Sequence, residues 1–116
     1  MKAVILAGGR GSSISEESDF KPKPMSEIGN MPILWHIMKI YSYHGVNEFV
    51  ILAGYESYHI KNFFYNYNLR FNSVEFNLSS GNTKIIGKQI NWKIKVIDTG
   101  TETMTGGRIL RAKKYI

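Results

Sequence analysis

MKAVILAGGRGSSISEESDFKPKP, residues 1–24, is the stretch on which the reading of the whole chain turns. Ala3-Val4-Ile5-Leu6-Ala7 is a short unbroken apolar run, the pattern of a strand buried in a parallel sheet. Gly8, Gly9 and Gly11 follow at once. With no Cβ in the way, a glycine-rich turn leaving the carboxyl end of a strand can aim several backbone N–H groups at one anion. Lys21 and Lys23 come next, each followed by a proline (Pro22, Pro24) that restricts the backbone around it. Strand, glycine cradle and stiffly presented lysine together suit a polyphosphate. No Gly-Lys-Ser/Thr completes a Walker loop, and the register Gly9-x-Gly11-x-x-Ile14 is not the dinucleotide fingerprint. By themselves the glycines are weak evidence, and a tight turn after an edge strand is the alternative reading.

Downstream, the apolar pattern alternates between helix and strand. Asn30-Met31-Pro32 reads as a helix start, Ile33, Leu34, Ile37, Ile40 and Tyr41 recur at helical spacing, and Gly45 closes the element. His36 and His44 lie on this helix and are read as structural, with no chemistry assigned. Phe49-Val50-Ile51-Leu52-Ala53 is a second buried strand. Ser57 to Tyr67 is a second helix, with Ser57 at its cap and Ile60, Phe63, Phe64 and Tyr67 on its packed side. Val74 to Leu78 alternates as a half-exposed third strand, Ser79 to Thr83 is a turn, and Ile85 to Trp92 reads as irregular or as an added hairpin. Ile94, Val96 and Asp98 share one face of a fourth strand that ends at Thr99-Gly100. A polar loop then leads through Gly106-Gly107-Arg108 into a last helix, whose first-turn glycines would expose N–H groups to an anion. The order β-α-β-α-β-loop-β-α predicts an α/β class domain with a mostly parallel sheet and right-handed crossovers. In such a sheet ligands lie beyond the carboxyl ends of the strands, where the glycine loop, Asp98-Thr99 and the Thr105–Arg108 turn all fall.

The 116 residues make one small domain, 1–116, and their 43% hydrophobic content argues for a packed chain. With no cysteine there is neither a disulfide framework nor a thiolate metal site. No apolar run approaches ~20 residues and no leader pattern precedes the first strand, so a soluble, cytoplasmic protein with no membrane partner is expected. The formal charge of +6 calls for an anionic partner. Its basic residues are spread along the chain and carry no nucleic-acid-binding signature, so nucleotide is preferred over nucleic acid.

The N-terminal stretch resembles the signature of the sugar-1-phosphate nucleotidylyltransferases, Gly-Gly-x-Gly-Thr-Arg-Leu followed after about ten residues by Pro-Lys-Pro. Ser15-Glu16-Glu17-Ser18, Lys21-Pro22-Lys23-Pro24-Met25, Glu27-Ile28-Gly29, Pro32-Ile33-Leu34-Trp35-His36-Ile37-Met38, Asp98-Thr99-Gly100 and Met104-Thr105-Gly106-Gly107-Arg108 resemble its glucose-1-phosphate cytidylyltransferase branch. The likeness is weakest between Asn66 and Trp92. It implies a Rossmann-like three-layer sandwich and the N-terminal half of a family whose members are more than twice this length. It also implies a reaction in which a sugar 1-phosphate attacks the α-phosphorus of a nucleoside triphosphate, CTP in that branch, and pyrophosphate leaves.

The resemblance carries nucleotide and substrate contacts onto Leu6, Ala7, Gly8, Gly9, Arg10, Gly11, Ser12 and Ser13, and onto Thr103, Thr105 and Arg108. It gives Lys23 the catalytic role of neutralising the α-phosphate, for which a lysine's compact charge is suited. It implies Mg²⁺, with aspartate ligands beyond residue 116 and none within the chain. Asp98 belongs to a different strand and is not read as a ligand. In the family's Gly-Thr-Arg, Ser12 keeps the threonine hydroxyl but Ser13 replaces the arginine. Arg10, in the variable position, is not a substitute for it. Losing one preorganised donor costs on the order of 10²–10³ in rate. A non-catalytic nucleotide-binding or interaction module derived from the family by truncation therefore stands beside the enzyme. Cutting a sheet after its first half leaves an apolar edge, so a homo-oligomer is expected.

Overall fold

The computed structural model describes residues 1–7, 23–54 and 57–99. Its centre is the strand β4 (Glu48–Ala53), which pairs in parallel with β1 (Lys2–Ala7) on one side and β7 (Lys93–Asp98) on the other. A strand flanked on both sides and covered on its faces has no polar surface to display. From Phe49 to Ala53 every residue of β4 is buried. The unbroken apolar run in the sequence has this cause.

Register divides the sheet into rows of three. On one face lie Ala3–Phe49–Ile94, then Ile5–Ile51–Val96, then Ala7–Ala53–Asp98. The helices α1 (Ile33–Tyr43) and α2 (Ser57–Tyr65) pack here, contributing Leu34, Met38 and Ile60 to a core with Phe49, Ile51 and Ala53. The opposite face runs Lys2–Glu48–Lys93, Val4–Val50–Lys95, Leu6–Leu52–Ile97. It buries Val50 and Leu52 against Ile97, while Val4 and Leu6 stay partly open. The helix read after Gly106 lies outside the described residues.

Helix α1 ends as its glycine requires. The N–H of Gly45 (φ 88°) donates to the Ser42 carbonyl and that of Val46 to the Tyr41 carbonyl, the paired bonds of a Schellman cap. Its start differs from expectation. Gly29 and Asn30 both have positive φ and form the turn of a two-residue hairpin, joining β2 (Glu27–Ile28) to β3 (Met31–Pro32). Such a turn favours Gly and Asn because both central residues are left-handed. Asn30 therefore belongs to the hairpin, and Pro32 is the N-cap of a helix that begins at Ile33. The buried stripe also differs: Leu34 and Met38 are buried, whereas Ile37, Ile40 and Tyr41 are exposed. Helix α1 is apolar nearly all round, so spacing alone does not select the inward side.

The second helix breaks at Asn66, whose side-chain N–H₂ donates to the Asn62 carbonyl and to its Oδ1. A short α3 (Tyr67–Phe71) follows, so the predicted single helix is two. Ile60, Phe63 and Phe64 join the core as predicted, and Tyr67 lies in an aromatic chain of contacts with Phe63 and Phe71 at 5.0–6.1 Å, to which Phe71 is an addition.

The largest correction concerns Val74–Leu78. Strand β5 (Ser73–Asn77) does not join the parallel sheet; it pairs antiparallel with β6 (Asn82–Ile86) in a separate hairpin. Asn77 closes the turn, its Oδ1 accepting from the backbone N–H of Ser79 and Ser80, and its carbonyl from Gly81 (φ 79°). Glu75 stands directly opposite Lys84. Trp92 then anchors the chain before β7: its indole N–H donates to Ser42 Oγ at 3.2 Å and its ring meets Phe49 edge-on at 5.4 Å. Among the described residues no helix is long and apolar enough to cross a membrane.

Candidate functional site

Three described segments bear on the candidate site: the ends of β1 and β7 at the carboxyl edge of the parallel sheet, and the lysine turn. The first is the end of β1. Ala7 points to the helix-covered face and is 3% exposed, while Leu6 points to the other face and is 47% exposed. The second is the one-turn 3₁₀ helix Lys23–Met25, which Met25 pins to the same core as Ala7 and Leu34. Met25 is 6% exposed, so the turn that begins with Lys23 is fixed by a buried side chain two residues later. The third is the end of β7. Thr99 sends both its backbone N–H (2.8 Å) and its hydroxyl (2.9 Å) to the carbonyl of Ala53. These two hydrogen bonds to one acceptor tie the end of β7 to the end of the central strand.

Asp98 shares the last row with Ala7 and Ala53. Its Oδ2 accepts from Ser57 Oγ at 3.4 Å, linking β7 to the first residue of α2. Sequence reasoning gave Ser57 a capping role; in the structure its hydroxyl serves this cross-link. Neither the Thr99 clamp nor the Ser57–Asp98 link was legible beforehand, because each joins residues more than forty positions apart. His36 confirms its structural reading: its Nε2 donates to the Ile28 carbonyl at 2.8 Å and holds the β2–β3 hairpin to α1. That bond requires the proton to be on Nε2.

Of the residues assigned to the site, Leu6, Ala7 and the backbone of Lys23 are described: Leu6 and Ala7 end β1, and Lys23 opens the turn whose Met25 joins the core. Gly8, Gly9, Arg10, Gly11, Ser12, Ser13, Thr103, Thr105 and Arg108 lie outside the described residues. No group of three or more His, Asp or Glu gathers among the described residues in a way that fits a divalent cation. What the described geometry can do is position: it fixes where the glycine loop leaves, where the lysine turn sits, and where the segment after Thr99 departs.

Parallel strands with a core under two crossover helices define a Rossmann-like α/β domain. The sequence profile described as nucleotidyl transferase matches residues 2–85, and the chain belongs to that family. It is 51% identical over 116 residues to a probable glucose-1-phosphate cytidylyltransferase of Bacillus subtilis (strain 168). It is 50% identical over 117 residues to the glucose-1-phosphate cytidylyltransferase of Salmonella typhimurium. Each match takes in 100% of this chain and 46% of the relative, so the chain spans about half the length of these proteins.

Among solved structures, HddC from Yersinia pseudotuberculosis, complexed with GMP-PN, superposes with a TM-score of 0.64 at 27% identity. That match covers 99% of this chain and 42% of HddC. A UDP-glucose pyrophosphorylase complexed with UDP-glucose superposes with a TM-score of 0.68 at 17% identity, over 99% of this chain and 41% of the other, a likeness of fold. The fold is thus the parallel-sheet, Rossmann-like one of the nucleotide-diphospho-sugar transferases.

Proposed function

We propose that this chain forms the nucleotide-binding part of a sugar-1-phosphate nucleotidylyltransferase that uses CTP and glucose 1-phosphate to make CDP-glucose. The observation that carries the reading is the 51% identity to a probable glucose-1-phosphate cytidylyltransferase across all 116 residues. The geometry supports it in that Met25 holds the Lys23 turn to the same core as Ala7, the last residue of β1.

In this reaction an oxygen of the sugar phosphate bonds to the α-phosphorus of the triphosphate. The bond from that phosphorus to the bridging oxygen breaks, and pyrophosphate takes the electron pair. No covalent enzyme intermediate is required, so the protein contributes alignment and charge neutralisation. Backbone N–H groups of the glycine loop would hold the triphosphate, and Lys23 would meet the charge gathering on the α-phosphate. Met25 and the β2–β3 hairpin fix the turn that presents that lysine. A magnesium ion, which the resemblance implies, would supply further neutralisation; the described residues form no cluster that fits it, and no step here depends on it. The same proposal places the protein in the cytoplasm as a homo-oligomer, with no nucleic-acid or membrane partner.

A second reading is a nucleotide-binding module without catalysis. It is favoured by Ser13 in the arginine position of the family signature.

Thermal melting of the chain with CTP, dTTP, GTP or ATP, each with and without Mg²⁺, tests the shared core of both readings. A ligand at ten times its dissociation constant adds about 1.4 kcal/mol to the folded state. Selective stabilisation by CTP is expected, and a melt indifferent to every nucleotide refutes both readings. Pyrophosphate release with glucose 1-phosphate then separates enzyme from module.

A further inference from the structure

The β5–β6 hairpin stands apart from the parallel sheet, and none of its strand residues is buried. Helix α3 contacts β5, yet no residue of α3 is buried either. A two-stranded hairpin is marginal in water unless a further strand or a helix covers one of its faces. Register shows which face is left to cover. Val74, Ile85, Phe76 and Thr83 share one side of the ribbon, and Ser73, Ile86, Glu75, Lys84, Asn77 and Asn82 share the other. The first side is apolar but for one threonine; the second carries the charges and amides. Val74 and Ile85 are half-buried, Phe76 is 56% exposed, and Leu78, two residues further on, is 92% exposed. We propose that this apolar face is an interaction surface, and that it is covered by the same face of a second copy of the chain across a two-fold axis.

Charge selects this partner. The chain carries a formal charge of +6, so two copies repel wherever their basic residues meet. Residues 71–83 hold one charged residue, Glu75, and it stands directly opposite Lys84 on the polar side. The apolar face is therefore a place where two copies can approach without like charges between them. A partner recognised by its charge finds nothing to pair with here, whereas an uncharged face fits its own copy, and a two-fold contact closes on itself. Two hairpins can also meet edge to edge. About a two-fold at the middle of either strand, that pairing sets Glu75 against Glu75 or Lys84 against Lys84, which is destabilising. Face packing leaves both residues outside, with the two ribbons ~10 Å apart like the layers of a sandwich.

The exposed area is sufficient. At ~200 Å² for a large side chain, Phe71 (38% exposed), Phe76 and Leu78 leave about 370 Å² of apolar surface per copy. With interfaces about 60% apolar, this corresponds to roughly 1,200 Å² buried in total, the lower end of a specific interface, for which dissociation in the micromolar range is expected. The proposal gives a surface to the homo-oligomer of the proposed function and does not rest on the chemistry proposed there.

Sedimentation velocity of the full chain without nucleotide, from ~1 to ~300 µM, tests it, with concentration-dependent dimerisation as the expected result. Phe76→Asp places two carboxylates across the two-fold and should weaken the dimer about ten-fold or more. Phe76 is more than half exposed, so melting at a concentration where both chains are monomeric should change little. The chain contains no cysteine, so single introduced cysteines report the facing side independently of that variant. Thr83→Cys lies on the apolar face and Glu75→Cys on the other. A short bismaleimide should join copies of Thr83→Cys much faster than copies of Glu75→Cys.

Two results overturn the proposal. One is a parent chain that stays monomeric up to ~300 µM. The other is a dimer that is undiminished in Phe76→Asp and cross-links as fast from Glu75→Cys as from Thr83→Cys, which assigns the contact to another surface, such as an edge of the parallel sheet. Because no nucleotide is present, either result leaves the CTP-dependent melt as a separate test of the proposed function.

Discussion

Replacing Met25 with alanine tests whether one buried side chain holds the lysine turn in place. Met25 is 6% exposed and packs in the core that includes Ala7, Leu34 and Ile60. The substitution removes three heavy atoms beyond Cβ. At ~0.8 kcal/mol for each buried methylene-sized group, the transfer loss is about 2.4 kcal/mol. A residual cavity would raise this within the ~2–5 kcal/mol range of buried Met→Ala changes. Met25 also lines an open groove, so water can fill the space and the total should stay near ~2–3 kcal/mol. Met25→Leu keeps the volume and should cost less than ~1.5 kcal/mol.

Urea unfolding followed by the fluorescence of Trp35 and Trp92 reads the difference. With a slope of ~1–3 kcal/mol/M, the alanine variant should shift its midpoint down by about 1 M or more. Its nucleotide-dependent stabilisation should fall further than the leucine variant's, because the turn that presents Lys23 loses its anchor. An alanine variant that unfolds within about 0.3 M of the parent chain would refute the anchoring argument.

Three other outcomes follow from single contacts. Thr99→Val removes the hydroxyl bond to the Ala53 carbonyl but leaves the backbone bond, so denaturation should show a loss of at least ~0.5–1.5 kcal/mol; no loss would mean that the clamp is the backbone bond alone. Gly45→Ala meets no atom within 4 Å but forces a side chain to φ 88°, so thermal melting should show a cost of ~1–2 kcal/mol from strain without crowding. His36→Leu, which cuts the tether to the Ile28 carbonyl, should speed amide exchange in residues 27–32 while that of β4 is unchanged; equal effects on both would assign His36 to the global core.

The sequence was most informative where one element's fate depended on its own residues. The central strand reads as buried because every residue from Phe49 to Ala53 is apolar, and Gly45 marks a helix end because few other residues tolerate its φ. It was least informative where a pattern had two solutions. Val74–Leu78 alternates as a parallel edge strand or a hairpin arm would, and only the partner strand Asn82–Ile86 decides. The inward side of α1 was ambiguous for a related reason: Ile37 and Ile40 are as apolar as Leu34 and Met38, and packing against the sheet makes the choice. The Gly29-Asn30 turn had a readable signal, two adjacent residues suited to positive φ, but the following proline drew the helix start forward. For the site, glycine spacing and resemblance point to residues 8–13, which lie outside the described residues. The described contacts at the sheet's carboxyl edge, Thr99 to Ala53 and Ser57 to Asp98, come from side chains that local pattern treats as unremarkable.

The last row of the helix-covered face, Ala7–Ala53–Asp98, has a consequence for how this edge can change. Two methyl groups occupy the positions where the rows behind carry Ile5–Ile51 and Ala3–Phe49. Each alanine ends a strand, one at the glycine loop and the other at the carbonyl that Thr99 grips. Both are buried in the core under the helices, so an added methylene at either presses on the helix layer above the strand ends. The spacing of the strands themselves is held by their backbone hydrogen bonds at ~4.8 Å. Substitutions at these paired positions should couple non-additively, and the row sets how closely the helix layer can approach the carboxyl ends of the strands.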